Sequence, residues 1–440
     1  MQMRNYSSRT IFTVLVLMMT LYPDARAFQD KPVISGRVTD ENGRPLAGAT
    51  VTAADTYLGT HTDNNGYFAF TGIRPGTYRL ECSFIGYQSA VIELQTDDNK
   101  VHEIRLEPKT YLTEEVTVHA TRAGENSPMA YTTVSLEKLR KQNTGGDLPY
   151  LLSLTPSFVE TSEAGNGVGY TGMRIRGTDG NRINVTLDGI PLNDPESQQV
   201  FWVDLPDIAS SVDNIQIQRG AGTSSNGAGA FGATISLQSS TAGTKPFAEI
   251  SSAAGSFNTF RNMVSAGTGL LKDRFALQMR LSDIVSDGYI DRTGSEHRSA
   301  FVSGLYRTDR SMLKMNIILG KEHTGIGWWG VPKDSLKTNR RYNPAGEYTA
   351  SDGTINYYEN ESDNYLQDHI QLIFNRKMAD YLYFNTALHY TMGKGYYEEY
   401  RQDQDYAEYG LDPVLIGDSL INLTDMIRRK WMSNDFYGIV

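Results

Sequence analysis

The sequence predicts a mainly β protein in three parts: an N-terminal β-sandwich, a small α+β domain, and part, about eight strands, of a large antiparallel transmembrane β-barrel. Three observations carry this expectation. Beyond Phe247, large apolar and polar residues alternate with period two over long stretches. The links between those stretches alternate between short and long. With 41 glycines, 26 tyrosines and 16 phenylalanines, the composition suits turn-rich β structure with aromatic girdles rather than apolar helices.

The amino end reads as a signal peptide, residues 1–27. Arg4 and Arg9 precede an apolar run over 11–22, and Ala25-Arg26-Ala27 offers small residues for cleavage after Ala27. The run is too short for a helix spanning a bilayer, which needs about 20 residues. No later segment is long and apolar enough for a membrane helix, so entry into a membrane would require a barrel. Cys82 is the single cysteine and falls in an expected strand, as a small buried apolar residue. A net charge of −10 argues against nucleic-acid binding, which favours basic patches.

Residues 28–108 read as a sandwich of short strands. Ile34-Ser35-Gly36-Arg37-Val38 leads into the turn Asp40-Glu41-Asn42-Gly43. Tyr78-Arg79-Leu80-Glu81-Cys82-Ser83-Phe84 alternates large apolar and polar residues. Asp63-Asn64-Asn65-Gly66 lacks the alternating carboxylates and distal glutamate of a calcium loop and reads as an Asx turn. The motifs GRVTDENGRPLAGATV, TDNNGYFAF and RPGTYRLECSFIGY resemble the carboxypeptidase regulatory-like domain, a transthyretin-like sandwich. No zinc-ligand pair accompanies it, so a peptidase activity is not expected. The resemblance implies a binding or spacing module.

Residues 109–123 form a linker, and 124–240 form the central domain. Ser135 is placed to cap a helix over 136–142, and Asp147 to cap another running to Leu154 before Pro156. Strands are expected at 174–176, 185–187, 215–218 and 234–238, with the first three forming a small sheet. Gly227-Ala228-Gly229-Ala230-Phe231-Gly232 fits a dinucleotide fingerprint in letters only, since it leads into a strand rather than a helix. The ordered set Ile175-Arg176-Gly177, Leu187-Asp188-Gly189-Ile190-Pro191-Leu192-Asn193, Ile217-Gln218-Arg219-Gly220 and the glycine-rich run resembles the plug domain of TonB-dependent outer-membrane receptors, of the Bacteroidetes type that carries the regulatory-like sandwich. By that resemblance Glu114, Glu115, Val116, Thr117 and Val118 are the TonB box, a tether that adds as a strand to TonB. An ordinary linker strand has the same texture. The resemblance also implies that Arg176 and Arg219 pair with barrel glutamates; on residues alone they equally fit a solvated surface.

Residues 241–440 read as the N-terminal part of the barrel. Phe275, Leu277, Met279 and Leu281 are expected to face lipid, and Ala276, Gln278, Arg280 and Ser282 the lumen. The same alternation runs through Leu313, Met315, Ile317 and Leu319, and through Leu382, Phe384, Leu388 and Tyr390. Short turns are expected near 271–273, 308–310 and 378–380, and long loops at 286–296, 324–364 and 400–427. About eight strands fall short of the roughly 22 that enclose a plug, so a fragment or truncated reading frame, unable to insert by itself, is the expectation.

The resemblance implies an outer-membrane receptor and importer, without catalytic residues, metal site or cofactor. Its partners would be TonB with the ExbB–ExbD complex, outer-membrane lipid, and a scarce bulky nutrient. An iron–siderophore or ferric citrate-like complex leads, ahead of cobalamin, haem and glycans. No N-terminal signalling domain is expected. Ligand candidates lie in 166–170, 194–202 and 325–341: Asn166, Tyr170, Gln198, Trp202, Trp328, Trp329, Arg340 and Arg341 combine stacking area with amide and basic groups. The tryptophans serve equally well as interface anchors. The alternative from another class is a non-transporting surface adhesion protein that binds through the sandwich.

Overall fold

The computed structural model describes residues 33–440 apart from 55, 85–86, 88, 97–100, 108–121, 124–128, 223–230, 242 and 380–381. The chain divides into two compact units, 1–111 and 112–440.

The first unit is a two-sheet sandwich. Strands β1 (Val33–Thr39), β4 (Tyr67–Thr71) and β7 (Val101–Arg105) make one sheet in the order β4-β1-β7. Strands β2 (Thr50–Ala53), β3 (Gly59–His61), β5 (Thr77–Ser83) and β6 (Ala90–Gln95) make the other, in the order β3-β2-β5-β6. Alternation along β5 buries Leu80 and Cys82 against Val38, Val51 and Ile104, as period two requires. Burial pushes the Cys82 thiol up to about 12, with the charge of Glu81 adding to it. The Asp63 carboxylate accepts from the Asn65 and Tyr67 amides at 2.8 and 2.9 Å, an Asx turn closing on Gly66 at φ 79°.

The second unit begins with the central domain. Its elements are β8 (Tyr131–Ser135), α1 (Leu136–Gln142), α2 (Leu148–Leu151), β9 (Phe158–Ser162), β10 (Thr171–Ile175), β11 (Ile183–Leu187), β12 (Ile190–Pro191), β13 (Val212–Arg219) and β14 (Ala233–Ser239). Five strands form a mixed sheet, β12-β11-β14-β13-β8, in which β11 and β14 are parallel. Two local expectations are corrected. The strand ending at Ile175 does not join that sheet; it pairs with β9 as a separate hairpin. The second helix stops at Leu151, and Asp147 leaves its end uncapped, accepting instead from Thr171 Oγ1 at 3.0 Å. Ser135 occupies the N-cap of α1, also without a side-chain cap bond.

Eight long antiparallel strands follow: β15 (Phe247–Gly255), β16 (Thr259–Gly267), β17 (Phe275–Ser286), β18 (Ser295–Arg307), β19 (Ser311–Gly325), β22 (Ser362–Ala379), β23 (Leu382–Asp405) and β26 (Leu423–Ile439). The hairpins β20 (Glu347–Thr349) with β21 (Ile355–Tyr357), and β24 (Val414–Ile416) with β25 (Ser419–Ile421), lie in the two longest loops. On β17 the exposed face is Phe275, Leu277, Met279 and Leu281, and the buried face is Ala276, Gln278, Arg280 and Ser282. The central domain covers that buried face: Phe301 of β18 and Ile318 of β19 share its core with Leu205, Ile208, Ile215 and Ile235. These two apolar side chains point inward, where alternation with lipid led to polar expectations, because the inner face packs on a protein core. Strand β23 continues to Asp405 and β26 starts at Leu423, well inside the loop expected over 400–427.

Candidate functional site

The junction between the central domain and the strands is built on buried charge. Asp207 sits in a turn at φ 53°, which aims its carboxylate at the sheet. Its Oδ2 accepts from Arg261 Nη2 of β16 at 2.9 Å, Ser282 Oγ of β17 at 2.6 Å and Arg280 Nη1 of β17 at 3.4 Å. Its Oδ1 accepts from Asn143 Nδ2 at 2.9 Å and Ser210 Oγ at 2.7 Å. The side chains of Asp207, Arg261 and Arg280 are 1%, 3% and 2% exposed. Burial acts to raise the Asp207 carboxyl, but Arg280 and Arg261, with hydrogen bonds from Ser282 and Arg261, hold it below the usual carboxylate range. Both guanidiniums are anchored further: Arg280 Nε donates to Ser211 Oγ at 2.7 Å, and Arg261 Nη2 to Ser210 Oγ at 2.7 Å.

A second buried pair lies beside it. Lys314 Nζ of β19 is 3.3 Å from Asp188 Oδ2 and donates to Ser239 O at 3.1 Å. Asn316 Nδ2 donates to the same Asp188 oxygen at 3.1 Å. A partly exposed third pair joins Arg140 of α1 to Glu249 of β15 at 3.1 Å. Close approach is also steric: a Cβ at Gly320 on β19 would lie 2.3 Å from Asp204 O.

Arg176 and Arg219 take no part in these junctions. Arg176 Nη1 donates to Arg219 O at 3.1 Å, and Arg219 Nη1 to Thr132 Oγ1 at 2.6 Å, all within the central domain. Among the described residues the buried junction pairs have the acid on the central domain and the base on the strands, and nothing in local sequence marks Asp207 or Asp188 for that role. Residues 114–118 lie outside the described residues. Just beyond them, Arg122 Nη2 donates to Ser236 O at 2.7 Å, and Ala123 exchanges hydrogen bonds with the Gln216 side chain at 2.7 and 3.0 Å. The end of the expected linker is therefore fastened to β13 and β14.

At the long-loop end two ligand candidates, Tyr170 and Trp328, come together. Tyr170 donates its hydroxyl to Asp363, and its ring meets Trp328 edge-on at 5.5 Å; Trp328 meets Tyr397 at 5.2 Å. Asn166 Nδ2 donates to Ser286 Oγ at 2.7 Å. Burial, then the nearby Asp363, pushes the Tyr170 hydroxyl up, and burial with Asp363 and Asp194 raises Asp204 well above the carboxylate range. The other candidates scatter. Trp202 is buried in the domain core, and Gln198 turns back to Pro195 O at 2.6 Å. Trp329 is exposed, Arg340 donates to Leu336 O at 3.3 Å, and Arg341 pairs with Asp291 at 3.1 Å.

A compact α+β domain is thus seated by buried charge on one face of eight long antiparallel strands whose other face is largely apolar and exposed. Two family models match the chain: the CarboxypepD_reg-like domain matches residues 34–118, and the TonB-dependent receptor plug domain matches residues 123–234. The chain carries both domains, and its eight-stranded sheet resembles the start of a TonB-dependent receptor barrel. Among solved structures it is similar to the ferric-catecholate import receptor Fiu of E. coli K12. The open form has a TM-score of 0.51 at 16% identity, covering 71% of this chain and 45% of that one. The closed form gives 0.50 at 16% identity, with 71% and 43% covered. The chain thus spans less than half the length of these receptors. No curated protein matches it.

Proposed function

We propose that this protein acts in the outer membrane as a TonB-dependent receptor that imports a scarce, bulky nutrient, an iron–siderophore or ferric citrate-like complex. The carrying observation is the plug domain seated on the inner strand face through Asp207, Arg261 and Arg280. The similarity to a ferric-catecholate import receptor supports the ligand class. In this reading residues 1–27 direct export and are cleaved after Ala27, 28–108 form the sandwich, 124–240 the plug, and 241–440 barrel strands. The long loops face outward. Glu114, Glu115, Val116, Thr117 and Val118 are gripped by TonB, powered through ExbB–ExbD.

The anchoring of Arg122 and Ala123 gives the tether a load path. Tension on residues 114–118 reaches the sheet first through hydrogen bonds to Ser236 and Gln216 on two adjacent strands. Ligand would meet the Tyr170–Trp328–Tyr397 aromatic group and the exposed Trp329 at the loop end.

The test is Val116→Pro, which removes a backbone donor needed for strand addition. Uptake of a ferric-catecholate probe should collapse while probe binding to cells persists. Undiminished uptake rejects energy coupling through this segment, and an adhesion protein would show no uptake in either form.

A further inference from the structure

Cross-strand register sets the outward side chains of neighbouring strands in rows across the sheet. One row reads Asp283, Arg298, Lys321, Leu366, Lys394, Ser433, each opposite the next. It is the first basic row above an apolar belt. On β19 that belt runs upward through Leu313, Met315, Ile317 and Leu319 to Lys321, about 20 Å of height once strand tilt is allowed for. An aromatic girdle marks its lower edge, where Phe275 meets Tyr306 at 4.7 Å and Phe374 meets Phe384 at 6.4 Å. Directly above the basic row, the rings of Tyr396 and Trp431 meet at 4.7 Å, tilted by 50°. In the barrel reading Lys321 and Lys394, two strands apart, border the belt where lipid headgroups lie on the long-loop side.

Two adjoining grooves open on this row. One, of about 550 Å³, has an apolar floor of Val264, Leu281, Ala300 and Leu319. Its depth follows from Ala300, the small residue between Leu281 and Leu319 in the row below. The other, of about 660 Å³, lies against Tyr396 and Trp431. Lys321 and Leu366 line both grooves. The basic row holds three cations against one acid, and Arg298 is engaged by Asp283 at 3.2 Å. Lys321 and Lys394 flank Leu366 directly, and Asp368 lies one row nearer the belt.

We propose that these grooves bind a lipid with a phosphorylated headgroup: Lys321 and Lys394 hold the phosphate, and an acyl chain lies over Ala300 between Leu281 and Leu319. Charge complementarity selects the headgroup, and continuity of the groove floor with the apolar belt selects a chain-bearing occupant over a free anion. The inference rests on the membrane setting of the barrel but not on import, so its test is blind to transport.

The test is native mass spectrometry of the full-length receptor in neutral detergent, with dioleoyl-phosphatidylglycerol, dioleoylglycerol or inorganic phosphate added in separate arms. The wild type should retain phosphatidylglycerol and neither control. Lys321→Glu with Lys394→Glu should lower retention about tenfold or more. Ala300→Leu, which fills the groove from an outward-facing position, should weaken retention with the charges intact. Equal phosphatidylglycerol retention by the double variant overturns the proposal. So does wild-type retention of dioleoylglycerol at the same level, which marks a merely apolar surface, or of inorganic phosphate, which marks a small-anion site.

Discussion

Asp207→Asn should loosen the plug more than any other single isosteric change at its junction. The carboxylate is the shared acceptor for two guanidiniums and three other side chains, all close-packed around it. An amide keeps the shape but removes the charge, and its NH2 must face donors on one side or the other. Arg261 and Arg280 then remain buried with no counter-charge. Removing one partner of such a buried group costs about 3–5 kcal/mol. The measurement is denaturant unfolding of the receptor in detergent, followed by fluorescence of Trp202, which is buried in the plug core. Adding Arg280→Gln to Asp207→Asn should restore part of the loss, so that the double variant falls short of additivity by about 1–3 kcal/mol. pH gives an independent check. The folded carboxyl is depressed, so its contribution is present above the ordinary carboxylate range and is lost as pH falls through the lower folded value. The wild-type plug should loosen in strong acid, and Asp207→Asn should show much less of that dependence. A cost below about 1 kcal/mol with strictly additive variants would give the cluster only the worth of a surface pair and refute the reasoning.

Gly320→Ala tests close approach without touching charge: the new methyl would meet Asp204 O at 2.3 Å, so a loss of about 1–3 kcal/mol in plug stability is expected, read by the same unfolding experiment. In the sandwich, Gly66→Ala combines a φ of 79° with a Cβ 2.5 Å from Val38 O, and should lower the thermal transition of that unit by an amount equivalent to about 1–3 kcal/mol. At the loop end, Trp329→Ala should weaken binding of a ferric-catecholate probe by about 1 kcal/mol or more at unchanged stability, since its ring is exposed. Trp328→Ala should lower stability as well, because its ring packs on Tyr170 and Tyr397; equal probe affinity in both variants would reject this loop as a ligand surface.

What could be read from the sequence was whatever a repeating environment imposes. Leu277, Met279 and Leu281 alternate with Gln278, Arg280 and Ser282 because each strand lies between two different media, and period two records that directly. The same logic fails where one medium changes. Above the basic row the outer face loses its apolar alternation, and β23 runs through Glu398, Glu399, Tyr400 and Arg401 as a paired strand with the composition of a loop. Inside the sheet, Phe301 and Ile318 meet a protein core, and their apolar character breaks the polar expectation for the lumen. The junction was the least legible part. Asp207 lies 54 positions from Arg261 in the hydrogen bond they share, and 73 from Arg280. No local pattern couples such residues; only the seating of one domain on another does. Arg176 and Arg219 stood in suggestive motifs, yet their partners, Arg219 O and Thr132, are supplied by the plug's own sheet. Strand faces follow from a solvent boundary that every residue meets, whereas a buried ion cluster follows from a docking geometry that the sequence encodes only through the whole fold.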